Sequence, residues 1–353
     1  MTRAWMCMVA AFLALPGGAR AHLLPRPFKL DRLNRQLAGK LVDHTNNHGL
    51  DRRIWSKALG MKRDLYVYLP PGYDPAKKYP FILMLHGFLS DEVTFADHAL
   101  KPLDEAIRTG KLPPVVVAAP DGTVRGLGCV ASIGTFYFNS RLGNFEDYVF
   151  GDVLPFVLKS YSIRDEPEAR AIVGVSMGGC AAYSKTMKYP DLFKNAAAIY
   201  PPLNLRWMGC KGRHSDKFDP ACWGWREDFS RGYEVLGRYY AVITFRQRRL
   251  VYPLFGRRNE EILPQVAAEN PIELLDAYDV KPGQFGFYVA YVGRDEFNLD
   301  SEIESFLHRA KEKGIEVSVE YDAKGRHNLP QAVKFLPGLF DWLNGRLAAY
   351  APR

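Results

Sequence analysis

Three runs, FILMLHG (Phe81 to Gly87), PVVVAAPDG (Pro114 to Gly122) and AIVGVSMGG (Ala171 to Gly179), constrain this chain more than any other feature. Each is continuously apolar and then breaks off in small or turn-forming residues. A strand with one wet face alternates apolar and polar side chains, so a run without alternation belongs to a strand covered on both faces. Between the first two runs, Val93 to Thr109 has helical spacing, with Phe95, Leu100, Leu103 and Ile107 as its apolar set, and Phe145 to Tyr161 repeats that spacing before Ala171. Asp64 to Leu69 alternates into the turn PPGYDP. The runs Ala196 to Tyr200 and Phe285 to Val292 follow later, then a helical Ser301 to Glu312, a strand-like Ile315 to Tyr321 and a helix from Gln331 to about Leu347. Strand alternating with helix along the chain predicts the α/β class, with a mostly parallel central sheet and helices on both faces. At 353 residues and 47% hydrophobic, the chain can bury one large core.

Two regions fall outside the alternation. Residues 22–50 show no periodicity and read as a lead-in. Residues 201–284 hold Trp207, Trp223, Trp225, Tyr233, Tyr239, Tyr240, Tyr252 and Phe255 among many arginines. A compact domain does not leave so long a stretch without structure, so helices of its own are expected there. Inserted after a strand end, it would form a cap over the carboxyl edge of the sheet, where ligands bind in open α/β folds, or else a peripheral elaboration.

The chain begins Met1-Thr2-Arg3, runs apolar from Ala4 to Leu15 and then reads Ala19-Arg20-Ala21. These are the parts of a secretory signal peptide cleaved after Ala21, and the apolar run is too short for the roughly 20 residues of a membrane span. The expected organisation is a signal peptide over 1–21 and a single domain over 22–353 carrying the insertion. The expected location is secreted or periplasmic, with no stable membrane insertion. The formal charge of +8 is dispersed and lacks the spacing of a nucleic-acid module, so no nucleic-acid partner is expected. Past the leader, the cysteines are Cys129, Cys180, Cys210 and Cys222. Cys210 and Cys222 bracket a loop and are expected to pair, leaving Cys129 to pair with Cys180 or Cys180 as a buried free thiol. No pair has zinc-ligand spacing, so neither a metal nor a cofactor is expected.

Gly174-Val175-Ser176-Met177-Gly178 is a G-x-S-x-G, a weak signal as letters alone in a chain with 30 glycines. Its context strengthens it. An apolar strand enters and small residues, Gly178-Gly179-Cys180-Ala181-Ala182, leave toward a helix. A serine in a sharp strand-to-helix turn needs small neighbours, and the helix N-terminus favours negative charge beside it. A serine hydroxyl also needs a base and the acyl oxyanion needs donors. In this topology the order is serine, acid, histidine, each just after a strand. Asp295 in GRDEF and His327 in GRHN fall where that order demands; Glu296 and Asp300 are rivals for the acid. His308 and His214 read as solvated surface, and His44, His48 and His98 lack a position after a strand. The backbone amides of Met177 and of Phe88 or Leu89 are expected to form an oxyanion hole. His86, Tyr137 and Asn139 are expected to border the substrate, with His86 bracing its loop rather than moving protons.

The blocks LYVYLPPGYDPAKKYPFILMLHG, VVVAAPDGT, VGVSMGG, GRDEF and GRHN together resemble the esterase D and feruloyl esterase-like family of α/β-hydrolases, over about residues 60–200 and 285–346. The resemblance implies an α/β-hydrolase fold and a triad of Ser176, Asp295 and His327. It implies a serine carboxylesterase acting through an acyl-enzyme on a small-molecule or carbohydrate-linked ester, acyl or feruloyl. An acyltransferase of the mycolyltransferase type would use the same residues, and a non-catalytic envelope protein would need none of them. The insertion has no counterpart in the resemblance, so substrate identity does not carry over.

Overall fold

The computed structural model describes residues 29–126, 133–239 and 243–352; the expected leader and Cys129 lie outside the described residues. The central sheet is built from β1 (Lys40–His44), β2 (Leu65–Leu69), β3 (Phe81–Leu85), β4 (Val116–Pro120), β5 (Arg170–Val175), β6 (Asn195–Ile199), β7 (Gly286–Arg294) and β8 (Ser318–Arg326). Their order across the sheet is β1-β2-β4-β3-β5-β6-β7-β8. β2 pairs antiparallel with β1 and β4. Every other pairing is parallel. The strands read as continuous apolar runs are the interior ones, where every residue of β4 and β6 is buried.

Helices cover both faces, among them α1 (Leu100–Arg108), α2 (Leu154–Ser160), α3 (Met177–Lys188), α4 (Leu299–Glu312) and α5 (Leu336–Leu347). One apolar core gathers Leu103, Tyr183, Ile303, Phe306 and Leu339. The other gathers Val67, Leu83, Val116, Ile172, Val149 and Val157. α3, which leaves Ser176, is buried at every residue except Lys188. Its Lys185 Nζ has no exposure and lies 2.5 Å from Glu146 Oε2 and 2.7 Å from Glu269 Oε2. A cation in such a place needs its counter-charges, and Glu269 ties the helix to the insertion.

Three expectations shift. The lead-in is ordered in part: Lys29–Asn34 is helical, and β1 forms the sheet edge through an alternation only five residues long. β8 runs on to Arg326, because this edge strand leaves Glu320, Asp322 and Lys324 partly or fully exposed and its apolar signal stops early. The insertion holds strands as well as helices, with Val235–Tyr239 and Ile243–Arg246 forming a hairpin and Trp207–Met208 pairing with Gly224–Trp225. Its helices include Asn259–Ala267 and Pro271–Ala277. Phe229, Leu254, Phe255, Ile262 and Val266 make its apolar centre together with Phe138 and Cys180. Ile272, Leu274 and Leu275 join the core of the sheet. Cys210 and Cys222 are bonded, with Cα atoms 5.1 Å apart, and Cys180 is a buried free thiol.

Candidate active site

β5 ends at Val175, and Ser176 follows with φ 52° and ψ −115°. A side chain at such a backbone costs about 1–3 kcal/mol, so the surroundings must hold it. Ser176 N donates to Ile199 O at 2.8 Å, and Ser176 O accepts from Gly179 N at 2.9 Å and Cys180 N at 3.1 Å. The flanking glycines are required by close approach. A Cβ on Gly174 would lie 2.1 Å from Gly178 O, and one on Gly178 would lie 2.2 Å from Leu85 O. Met177 is the first residue of α3, where amides have no acceptor within the helix and the helix dipole is positive.

The neighbouring strands deliver the other groups. Val175 is level with Ile199, and Ile199 with Ala290. Tyr200, with φ 39°, is therefore the lateral neighbour of Ser176. Its ring centroid lies 4.5 Å from that of His327, and its hydroxyl donates to Asn328 O at 2.8 Å. Asp295 directly follows β7 and His327 directly follows β8. Nδ1 of His327 donates to Asp295 Oδ2 at 2.9 Å, and Asp295 Oδ1 accepts from Phe297 N at 2.8 Å. The Asp295 side chain is 1% exposed and that of His327 is 12% exposed, so the acid is dry and the imidazole reachable. With Nδ1 committed to the acid, Nε2 is the nitrogen left for proton transfer.

The rival acids have other partners. Glu296 accepts from His327 N at 3.0 Å and from Arg326 Nη1 at 2.9 Å, so it holds the histidine's backbone rather than its ring. Asp300 pairs with Lys217, and burial raises its carboxyl above the usual range. Among the other histidines, His308 sits beside Glu312 at 3.3 Å, while His44 and His48 meet the hydroxyls of Tyr161 and Tyr66.

His214 departs from its expected place on the surface: it is buried, and burial lowers its pKa from the ordinary 6.5. It lies within the loop closed by Cys210 and Cys222. Its Nε2 donates to Phe297 O at 2.9 Å and Leu236 O at 3.1 Å, while its own carbonyl accepts from Asn298 Nδ2 at 2.7 Å and Trp207 Nε1 at 3.0 Å. Asn298 Nδ2 also donates to Asp216 O at 2.9 Å, and Arg238 N donates to Glu296 O at 3.1 Å. The insertion thus grips the acid loop from Glu296 to Asn298 through its backbone.

On the other side of the serine, a Cβ on Gly87 would lie 3.2 Å from Val175 O and 3.6 Å from Ser176 Cβ, so the loop carrying Phe88 and Leu89 abuts the nucleophile. Leu89 has φ 66°. The Phe88 ring lies 5.5 Å from Phe245 of the insertion hairpin, which lies 5.5 Å from Phe297. An aromatic arc therefore joins the Phe88 loop to the acid loop.

Of the residues expected to border the substrate, His86 and Tyr137 are buried and Asn139 is exposed. His86 is buried; its Nδ1 donates to Gly87 O at 2.9 Å and its Nε2 accepts from Gly122 N at 2.8 Å, so both nitrogens are used in bracing the loop. Tyr137 is fully buried, with its hydroxyl 3.4 Å from His86 O. The amide of Asn139 is taken up by Asp147 Oδ1 at 2.8 Å and by the Glu146 and Asp147 amides, both at 3.1 Å. Tyr200, Phe245 and His214 are neighbours of the site that the residue types alone did not reveal, and Glu296, a rival acid by sequence, holds the backbone of His327. Tyr200 could have been found from its place at the end of the Ala196 to Tyr200 run. Among the described residues, the one cluster of potential metal ligands is Cys210, Asp219 and Cys222, whose sulfurs are bonded to each other. No described helix is long and apolar enough to cross a membrane.

Residues 56–278 match a family model described as "Putative esterase". An endo-1,4-beta-xylanase/feruloyl esterase of Xylanibacter ruminicola is 28% identical over 156 residues, 42% of this chain and 21% of the relative. An esterase of Mycobacterium tuberculosis is 27% identical over 175 residues, 47% of this chain and 36% of the relative. The matches thus span about a fifth to a third of these curated relatives. The solved structure of a ferulic acid esterase superposes with a TM-score of 0.62 at 17% identity, covering 88% of this chain and 99% of that one, and shares the α/β-hydrolase fold.

Proposed function

The chain belongs to the Esterase family, and on that premise we propose that it is a serine carboxylesterase using Ser176, His327 and Asp295. The observation that carries the reading is the 2.9 Å contact of Asp295 with His327, made by residues that directly follow β7 and β8 while Ser176 directly follows β5. Ser176 Oγ attacks the ester carbonyl carbon as His327 Nε2 takes its proton. The tetrahedral oxyanion accepts hydrogen bonds from the amides of Met177 and of Phe88 or Leu89. Collapse breaks the carbon–oxygen bond, and the alcohol leaves with the proton carried by His327. Water then attacks the acyl-enzyme by the same route and releases the acid. Asp295 holds the imidazole in the Nδ1–H tautomer and stabilises the imidazolium.

The substrate is an ester on a carbohydrate, with feruloyl as a candidate acyl group. Support comes from the aromatic arc of Phe88, Phe245 and Phe297, and from the relative named as a xylanase/feruloyl esterase. Export as a secreted or periplasmic protein is supported by the leader-like residues 1–21 and by the Cys210–Cys222 disulfide. The test is an ester panel varying acyl length, with acetyl and feruloyl sugars included. The expected result is turnover of a sugar ester that falls by about a thousandfold or more in Ser176→Ala. Turnover retained in that variant would overturn the assignment.

A further inference from the structure

The insertion carries a second concave site. A cleft of about 670 Å³ is lined by Arg141, Arg248, Arg257, Tyr233 and Tyr252, together with Ser230, Gly232 and Pro253. Its lining contains three guanidinium groups, no carboxylate and no leucine, isoleucine, valine, methionine or phenylalanine side chain. Arg248 and Arg257 have no carboxylate partner among the described residues. Arg141 has only Glu261 Oε2 at 3.7 Å, and Glu261 is held closer by Arg258, at 2.7 Å. Like charges that line one cleft and share a single distant carboxylate favour an anion between them. The walls are built rather than loose. The Arg248 guanidinium rests 4.5 Å from the Tyr233 ring centroid, Arg248 N donates to Gly232 O at 2.9 Å, and the Tyr252 hydroxyl donates to Phe229 O at 2.9 Å.

We propose that this cleft binds an acidic saccharide, a chain of sugar rings bearing uronate carboxylates. Guanidinium forks match carboxylate geometry, and the exposed Tyr233 ring and the Tyr252 ring offer flat faces with polar edges to a sugar. A free acyl chain would find no aliphatic wall here. The cleft communicates with the candidate active site through the chain. Arg248 lies three residues beyond Phe245, and the guanidinium of the next residue, Arg249, sits 5.0 Å from the Phe245 ring centroid. On the opposite wall, Arg141 lies seven residues beyond Gly134, whose Cβ position is 3.1 Å from Phe88 and 3.2 Å from the Met177 sulfur. As a subsite for substrate the cleft rests on the esterase reading; as a binding site it does not.

The experiment is titration calorimetry of full-length Ser176→Ala protein with trigalacturonate, xylotriose, a triglutamate peptide and sodium sulfate, repeated with Arg248→Gln/Arg257→Gln added. Trigalacturonate is expected to bind at least about tenfold more tightly than the other three probes, to weaken with added salt and to lose about tenfold or more in the arginine variant. Lys101→Gln/Arg108→Gln, on α1, removes the same two charges and is expected to leave binding unchanged. Equal binding of xylotriose, triglutamate or sulfate would overturn the saccharide assignment, and unchanged trigalacturonate binding in the arginine variant would overturn the site. In the background with Ser176 intact, the arginine variant is expected to keep its turnover of a neutral aryl ester. An esterase reading that fails there leaves the binding result standing on its own.

Discussion

The carboxyl edge of the sheet and the insertion contribute to the same site by opposite means. At the sheet edge, Ser176, Tyr200, Asp295 and His327 each directly follow a strand, and the register of β5, β6 and β7 sets their spacing. The insertion has no such ladder. It reaches the acid loop through scattered side-chain and backbone hydrogen bonds, from His214 and Arg238 and to the side chain of Asn298, and it reaches α3 through Glu269. A repeated geometry places groups by its period, whereas an irregular one must specify each contact separately. The reactive groups accordingly come from the sheet, and the restraint on the loop that bears one of them comes from the insertion.

The sharpest way to break this division is at the acid. Asp295→Asn is expected to lower kcat/KM for an aryl ester by about a thousandfold or more, since an amide can fix the wrong imidazole tautomer. Glu296→Gln, which touches only backbone and Arg326, is expected to lose far less. Steady-state kinetics on both variants checks the contrast, and equal losses would move the acid's role.

Next in size is the tie between the two regions. Lys185→Met removes the fully buried cation between the carboxylates of Glu146 and Glu269 and leaves them to Lys188 alone, at 3.4 and 2.6 Å. Breaking such a buried arrangement costs about 3–5 kcal/mol, so a large fall in denaturation midpoint is expected. An unfolding free energy within a few tenths of a kcal/mol of wild type would show that Lys185 does not join the insertion to α3.

The smallest expected effect concerns the clamp. His214→Ala removes the donor to Phe297 O and is expected to lower kcat by about tenfold to a hundredfold, as small misplacements of reacting groups do, with KM little changed. The clamp also has a sign with pH. Burial keeps His214 neutral by lowering its pKa, so as pH falls below about 6.5 the unfolded chain takes up a proton that the folded one resists. Its stabilising contribution is present above that value and is lost on acidification. Melting temperatures from pH 7 to 5 should therefore fall more in wild type than in His214→Gln.

Much of the sheet was legible because a buried parallel strand has an unambiguous signature, a continuous apolar run closed by turn residues. Asp295 was legible for the same reason, as a polar residue just past the end of such a run, whereas His327 was placed by its Gly325-Arg326-His327-Asn328 turn, six residues beyond Tyr321 where the apolar signal of the edge strand stops. β1 and the far half of β8 were not, since edge strands keep one face wet and their polar residues mask the period. The insertion hairpin was illegible too: Gly237 and Arg238 interrupt one strand, and Thr244 and Arg246 interrupt the other. His214 misled because burial of a histidine in a disulfide-closed loop depends on the carbonyls of Leu236 and Phe297, which are distant in sequence. His86 and Tyr137 differ in the other direction, as polar groups that are buried, with the ring nitrogens of His86 spent on bracing its loop.

The central claim is that Ser176 is the residue to which the sheet edge and the clamped acid loop are directed. Its most direct test is labelling of the full-length protein with a fluorophosphonate probe, followed by peptide mapping by mass spectrometry. One stoichiometric adduct on Ser176 is expected, absent in Ser176→Ala and strongly slowed in His327→Ala. An adduct on another residue, or undiminished labelling of Ser176→Ala, would contradict it.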